Sequence, residues 1–227
     1  GKRLFIVDAG TDGLRNLTRM GYNPGSIEAV FITHFHSDHI DGLGELATIR
    51  WVAQANTAPL PVYGPTGIER IVTGLNKVYE QDVDYRHAHH GDIVAPRIGA
   101  GMTAMSFDEP ELGTLATLID EDDLKIEALA VGHFPVKPAV GYRFTYKGRS
   151  LLITGDTVRM PNIEKFANGV DLLVHEALAP NLVGMMHDTA VKLGNKTMAK
   201  VTHDILDYHA SPVEAAETAK AANVGHL

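Results

Sequence analysis

Three histidines and an aspartate stand within one short stretch, Ile32-Thr33-His34-Phe35-His36-Ser37-Asp38-His39. Imidazole nitrogens and carboxylate oxygens, with no thiolate among them, suit zinc, manganese or iron. His34 and His36 are two apart, so at an extended strand end both rings point the same way. Asp38 and His39 fall on the first turn of a helix that Ser37 is placed to cap. Two rings from a strand end, with a carboxylate and a ring from a helix start, can surround a pair of metal ions. The alternative is a solvated polar loop, which gives no reason for three imidazoles crowded against a buried strand.

Stepping outward, the motif needs a strand before it and a helix after it. Val30, Phe31 and Ile32 form an apolar run that reads as a buried strand. Ile40, Leu43, Leu46 and Ile49 recur at helical spacing, predicting one helix through Trp51 and Val52. Ahead of the motif, residues 4–7 read as a strand ending in Asp8-Ala9-Gly10. Asp8 is expected to be structural, accepting hydrogen bonds beside the site. A short helix follows with Leu14, Leu17 and Met20 on one face. Residues 59–65 read as a strand between prolines near a sheet edge, and Thr66-Gly67-Ile68 opens a helix to about Val78. Residues 84–92 hold Arg86, His87, His89 and His90, read as a solvated loop, since no carboxylate or strand end organises a second metal cluster there. Residues 99–122 are less regular, and Met102, Met105 and Phe107 there suit either a substrate face or core packing.

The second half repeats one arrangement, a strand with a histidine or acid at its end. Residues 124–131 lead to Gly132-His133, and residues 142–146 and 150–153 are joined by a tight turn at 147–149. The latter strand ends in Thr154-Gly155-Asp156-Thr157, and residues 171–174 end in His175-Glu176-Ala177. Carboxyl ends of strands are where α/β folds place function. Residues 181–201 read as a loop and helix over the cleft or as a packed surface helix. Ser211-Pro212-Val213-Glu214 is a helix start, with serine as cap, proline at the first position and Glu214 completing a capping box. That helix runs to Ala222, and residues 223–227 begin a further strand.

The chain has 227 residues, 44% of them hydrophobic, enough for one globular domain or two fused halves of one. It has no cysteine, which removes disulfides and thiolate metal sites from consideration and leaves the compartment open between cytoplasm and periplasm. No apolar run is long enough for a membrane span. A net charge of −8 lacks the broad positive field usual for nucleic-acid binding. The first residues, Gly1 and Lys2 to Val7, read like the middle of a hairpin, so the sequence is expected to be truncated at the front.

His34-x-His36-x-Asp38-His39 resembles the signature of the metallo-β-lactamase superfamily. Gly141-Tyr142-Arg143, the Gly155-Asp156-Thr157 turn, and Val174-His175-Glu176-Ala177 are similar to its ribonuclease Z and arylsulfatase-like branch, as is His209 ahead of Ser211. The resemblance implies one domain of α/β class, the αββα four-layer sandwich, binding two divalent metal ions, zinc first and manganese or iron otherwise. It implies that His34, His36 and His133 hold one metal, Asp38 and His39 the other, and that Asp156 bridges them. It casts Asp38, His209 and Glu176 as catalytic: Asp38 orients the attacking hydroxide, His209 protonates the leaving group, and Glu176 fixes its tautomer.

The branch carries a further ligand histidine in the strand after the last helix. His226 falls too early for it, so truncation at the far end is expected too. Ribonuclease Z also inserts a long tRNA-gripping arm between Gly-Tyr-Arg and Gly-Asp-Thr, where this chain has only residues 144–153. With the acidic balance, that favours a phosphodiester or sulfate ester on a small molecule, and disfavours nucleic acid as partner. Alternatives are a lactonase or thioesterase, a tRNA 3′-processing endonuclease, or a non-catalytic metal-binding domain. A homodimer is compatible with the sequence.

Overall fold

The computed structural model describes residues 3–227; Gly1 and Lys2, on which the hairpin reading of the first residues partly falls, lie outside the described residues. The chain divides into two compact units, Gly1–Asp108 and Glu109–Leu227.

The first unit is built on a parallel sheet of order β1-β2-β3-β4, formed by Leu4–Val7, Ile27–Phe31, Leu60–Pro65 and Met102–Phe107. Its helices are α1 (Gly13–Arg19), α2 (Ser37–Ile40), α3 (Leu43–Ala53) and α4 (Ile68–His90). The core joins Val30 and Ile32 to Leu43 and Leu46 of α3, Val62 of β3 and Ile68 of α4. Fully burying side chains of this size is worth about 1.5–3 kcal/mol each, so β2 and the start of α3 are the firmest supports the motif has.

Four expectations change here. The helix after the motif is broken in two at Asp41 and Gly42. The Ala9-Gly10 loop wedges into the break: Ala9 N–H donates to His39 O (2.8 Å) and Gly42 N–H to Ala9 O (2.9 Å). Ser37 is the first residue of α2 and does not cap it; His36 holds the cap position. Met20 lies past the end of α1 and is exposed, leaving Leu17 as the buried residue of that helix. The strand between prolines is interior, paired with β2 on one side and β4 on the other. Leu60 N–H donates to Gly101 O and Tyr63 O accepts from Ile32 N–H, so amides of odd-numbered residues face β2. Pro61 and Pro65 are therefore turned toward β2, where the ladder covers only Val30↔Val62 and Phe31↔Tyr63 and asks neither for a donor.

The histidine-rich stretch read as a loop is the last turns of α4. Arg86–Asp82 (2.6 Å) at i, i+4 and Gln81–Tyr85 support the helix there. His87 Nδ1–H donates to Ala95 O (2.9 Å), closing the helix end, and His89 and His90 are exposed.

The second unit carries a five-stranded sheet of order β5-β6-β7-β8-β9, formed by Ala116–Glu121, Leu124–Ala130, Val140–Tyr146, Arg149–Ile153 and Leu172–Val174. It is antiparallel except for β9, which runs parallel to β8. Lys147 and Gly148 both take positive φ (49° and 76°) in the two-residue turn between β7 and β8. Its helices are α5 (Pro161–Phe166), α6 (Pro180–Lys192), α7 (Lys196–Asp204) and α8 (Pro212–Ala221). The capping box of α8 is formed: Glu214 N–H donates to Ser211 Oγ (3.2 Å) and Ser211 N–H to the Glu214 carboxylate (2.8 Å). Leu129, Leu152 and Leu173 of the sheet pack against Ile163 of α5 and Ala219 of α8. Past α8, His226 makes a single parallel bridge to Leu172, in line with its reading as a strand residue. Among the described residues no helix is long and apolar enough to cross a membrane.

Candidate metal centre

In the first unit, the motif rings gather around a partly buried acceptor. Asp8, at the end of β1, accepts three hydrogen bonds: from Thr33 N–H (2.8 Å), from Thr33 Oγ1–H (2.8 Å) and from His39 Nδ1–H (2.7 Å). A carboxylate only accepts, so these bonds fix the protons of their donors. His39 keeps its Nδ1 proton and presents Nε2 as a lone pair. The Thr33 hydroxyl, having given its hydrogen to Asp8, accepts from His34 Nδ1–H (3.1 Å), which leaves His34 Nε2 as a lone pair as well. One carboxylate thus sets the tautomer of two histidines, the arrangement that orients metal-binding imidazoles.

The ring nitrogens converge. His34 Nε2 and His36 Nδ1 are 3.0 Å apart, and the His34 and His39 ring centroids are 4.1 Å apart. Two nitrogens on one zinc, each at about 2.0–2.1 Å, stand about 3 Å from one another, so this pair fits a shared ion. Asp38 is the most exposed member; its carboxylate lies 3.8 Å from His39 Nε2 and faces solvent.

Two glycines let these pieces meet. A Cβ on Gly10 would lie 2.0 Å from Asp38 O, and one on Gly42 would lie 2.7 Å from Gly10 O. Asp8 itself sits at φ 57°, turning the chain sharply under the motif.

The second unit assembles its four residues from four loops. His133 follows β6 and is buried; its Nδ1–H donates to Tyr208 O (3.0 Å), so Nε2 carries the lone pair. That Nε2 is 3.9 Å from Asp156 Oδ2, a gap that an ion at about 2.0–2.2 Å from each can span. His209 Nδ1–H donates to both oxygens of Glu176 (2.9 and 3.0 Å), and Asp156 Oδ2 lies 3.9 Å from the same nitrogen. Glu176 also accepts from Thr157 N–H. Asp156, Glu176 and His209 place one ligand atom each within 4.8 Å of one another.

Thr157 is the residue the sequence reading passed over. It is fully buried, accepts from Gly132 N–H (3.1 Å) and donates to Val158 O (2.8 Å), tying the His133 loop to the Asp156 loop. Thr33 and the Tyr208 carbonyl were passed over in the same way. The available signal was position: Thr33 and Thr157 each stand directly beside a proposed ligand, polar residues at the ends of buried strands. Gly141 has a packing reason for its place in the Gly-Tyr-Arg marker, since a Cβ there would lie 2.8 Å from Ile153 O, at the root of the Asp156 loop.

The chain matches the family model described as the metallo-beta-lactamase superfamily over residues 1–216. It is 34% identical over 229 positions to Ribonuclease Z of Mycobacterium bovis, covering 100% of this chain and 75% of that protein. To Ribonuclease Z of Mycobacterium marinum it is 35% identical with the same coverage. Among solved structures it is similar to human tRNase Z, short form, with a TM-score of 0.69 at 20% identity, covering 98% of this chain and 79% of that one. It is also similar to the metallo-beta-lactamase fold protein YhfI of Bacillus subtilis, with a TM-score of 0.63 at 20% identity over 99% and 73%. These likenesses agree with the expected α/β fold of two sheets flanked by helices. They support the ribonuclease Z part of the expected branch, while the arylsulfatase part gains nothing from them.

Proposed function

The chain belongs to the metallo-beta-lactamase superfamily and to its ribonuclease Z branch, a family of metal-dependent hydrolases, and from that premise we propose that it cleaves phosphodiester bonds in RNA, as a tRNA 3′-processing endonuclease. The observation that carries this reading is the match to ribonuclease Z along the entire chain. The preference for a small ester rested on the short hairpin at residues 144–153. The comparison weakens that argument: the match to the mycobacterial protein takes 229 positions, two more than the 227 residues of the chain. A relative that bears the name therefore has no long arm within the matched span either. Net charge is the weaker objection, because bound divalent ions reverse the local potential at such a site.

In this reading His34, His36 and His133 would hold one ion and Asp38 and His39 a second, with Asp156 contributing to the same centre. When bound, the two ions, with zinc as the proposed metal, acidify a water and stabilise negative charge on the phosphoryl oxygens. The remaining work belongs to side chains. Asp38, exposed at the start of α2, takes the proton of the attacking water. Asp8 and Thr33 keep His34 and His39 in the ligating tautomer. His209 gives a proton from Nε2 to the departing ribose oxygen, while Glu176, fixed by Thr157 N–H, retains the Nδ1 proton and offsets the charge of the imidazolium.

The test is cleavage of a precursor tRNA by the zinc-loaded complete gene product, beside an aryl phosphodiester, an aryl sulfate and a simple lactone, with Asp38→Ala as control. The reading expects cleavage at the 3′ side of the tRNA body, lost in the control. Turnover confined to the sulfate or the lactone would refute it.

A further inference from the structure

The loop that carries His133 joins β6 to β7. Its base is tied on both sides: Val131 N–H donates to Ala139 O (3.0 Å), Val158 N–H donates to Gly132 O (2.8 Å), and Ala139 N–H donates to the Glu109 carboxylate (3.3 Å). Val136 N–H donates to His133 O (2.8 Å), so Phe134 and Pro135 form the tip of a turn that begins at the histidine. Pro135 and Pro138 fix their own φ, and Pro135 also restricts Phe134 before it. The tip is therefore short, pinned and stiff.

An uncovered ring stands on that tip. The chain has seven phenylalanines, and among the described residues Phe134 alone is exposed, at 78%. Core packing does not account for it. Tyr208, the other ring beside His133, is already engaged: it lies edge-on to His133 (5.2 Å) and tilted on His209 (4.7 Å). Lys137, three residues past Phe134, is exposed and pairs with no carboxylate among the described residues. Consecutive Cα atoms are about 3.8 Å apart, so Phe134 is placed to meet a nucleotide whose phosphate lies at the His133 side of the centre.

On the reading of the substrate as RNA, on which this step rests, we propose that Phe134 is a stacking platform for the base beside the scissile phosphate, and that Lys137 meets a neighbouring phosphate of the same strand. A ring at this place accepts any base, because every base has a π face. A ring held in advance loses little freedom when a base settles on it, and the pinned loop supplies that. The lysine gives a local cation for the backbone in a chain whose net charge is −8. Contact with the strand is then local, made by one ring and one cation beside a ligand, and needs no broad positive field. A protein partner suits the ring less well, because one side chain at a loop tip is not the contiguous apolar patch that marks such an interface.

The test is a double-substitution cycle between protein and RNA. It uses the zinc-loaded complete gene product and a precursor tRNA in which the base on either side of the cleavage point is removed in turn, leaving an abasic ribose. Phe134→Ala should lower kcat/KM on the intact RNA by about 5- to 100-fold, the worth of one stacked base, chiefly through KM and with metal content unchanged. Phe134→Trp should keep the wild-type value. One of the two abasic substrates should lose the same factor with the wild-type protein and nothing further with Phe134→Ala. Lys137→Gln should flatten the dependence of log affinity for RNA on log salt by about 0.7; an unchanged slope overturns the part given to Lys137. RNA cleavage indifferent to Phe134→Ala overturns the platform, and so does a loss that multiplies with both abasic losses, since a merely structural residue would give that. A wild type that cleaves no RNA is a separate failure: it removes the RNA reading itself, and the platform with it.

Discussion

The two units position the side chains of the candidate site in opposite ways. In the first, His34, His36, Asp38 and His39 come from one continuous stretch, and a single carboxylate, Asp8, sets two of the rings. In the second, His133, Asp156, Glu176 and His209 come from four loops, held by backbone groups and by Thr157. A contiguous set is positioned by local geometry, the pitch of a strand and the first turn of a helix. A dispersed set depends on the register of β6, β7, β8 and β9. The first arrangement should therefore fail through its chemistry, and the second through its packing.

The largest effect expected is from the chemical side. His34→Ala should lower turnover by about 10³-fold or more and release metal, measured by elemental analysis beside kcat. Asp8→Asn should cost about 10–100-fold in metal affinity with the fold intact by circular dichroism, because it weakens the acceptor without changing the volume. If Asp8→Asn proved as damaging as His34→Ala, the distinction between ligand and tautomer-setting residue would collapse.

Next come the two glycines that test packing in each unit. Gly10→Ala forces a Cβ to 2.0 Å from Asp38 O, a backbone atom with nowhere to move. Gly141→Ala forces one to 2.8 Å from Ile153 O. Overpacking usually costs about 1–3 kcal/mol, and thermal unfolding should rank Gly10→Ala above Gly141→Ala. The reverse order would show that the register of the second sheet bears more strain than the motif loop, and equal losses that the two tolerate a methyl alike.

The smallest effect is expected at the cap of α8, where Ser211 and Glu214 form the capping box. Ser211→Ala should remove about 1 kcal/mol of cap stabilisation, visible as a lower Tm with unchanged kcat. The same cap gives a pH dependence. Hydrogen bonds from Ser211, with Arg159 and His175 nearby, hold the Glu214 carboxyl below its ordinary value. A carboxyl depressed on folding adds stability above its unfolded pKa, about 4.3 for glutamate, and loses it as pH falls through the folded value. The Tm difference between wild type and Glu214→Gln should therefore be present at neutral pH and shrink in acid.

The same contrast explains what was legible in the sequence. The motif could be read because strand and helix periodicities place His34, His36, Asp38 and His39 without reference to the rest of the chain. The capping box at Ser211 and Glu214 could be read for the same reason, as could the strands leading to His133, Asp156 and Glu176. What could not be read depends on neighbours distant in sequence. The break between α2 and α3 is made by Ala9 and Gly10, some thirty residues earlier. The interior place of β3 depends on which neighbour its prolines face. The extension of α4 through His90 hides in a polar stretch whose i, i+4 pairs, Arg86 with Asp82 among them, replace an apolar stripe. The preference for a small substrate came from comparing hairpin lengths, and the match to ribonuclease Z along all of this chain and 75% of that protein weakens that comparison.

The central claim is a division of labour: one set of side chains holds metal, and the His209–Glu176 pair moves a proton. It is tested most directly by His209→Ala on two substrates of different leaving-group ability, an RNA phosphodiester and an aryl phosphodiester with a nitrophenolate leaving group. The account predicts that RNA cleavage falls by about 10²–10⁴-fold, the usual worth of a general acid, while the aryl ester is cleaved nearly as before and metal content is unchanged. Equal loss on both substrates, or loss of metal with the substitution, would contradict it.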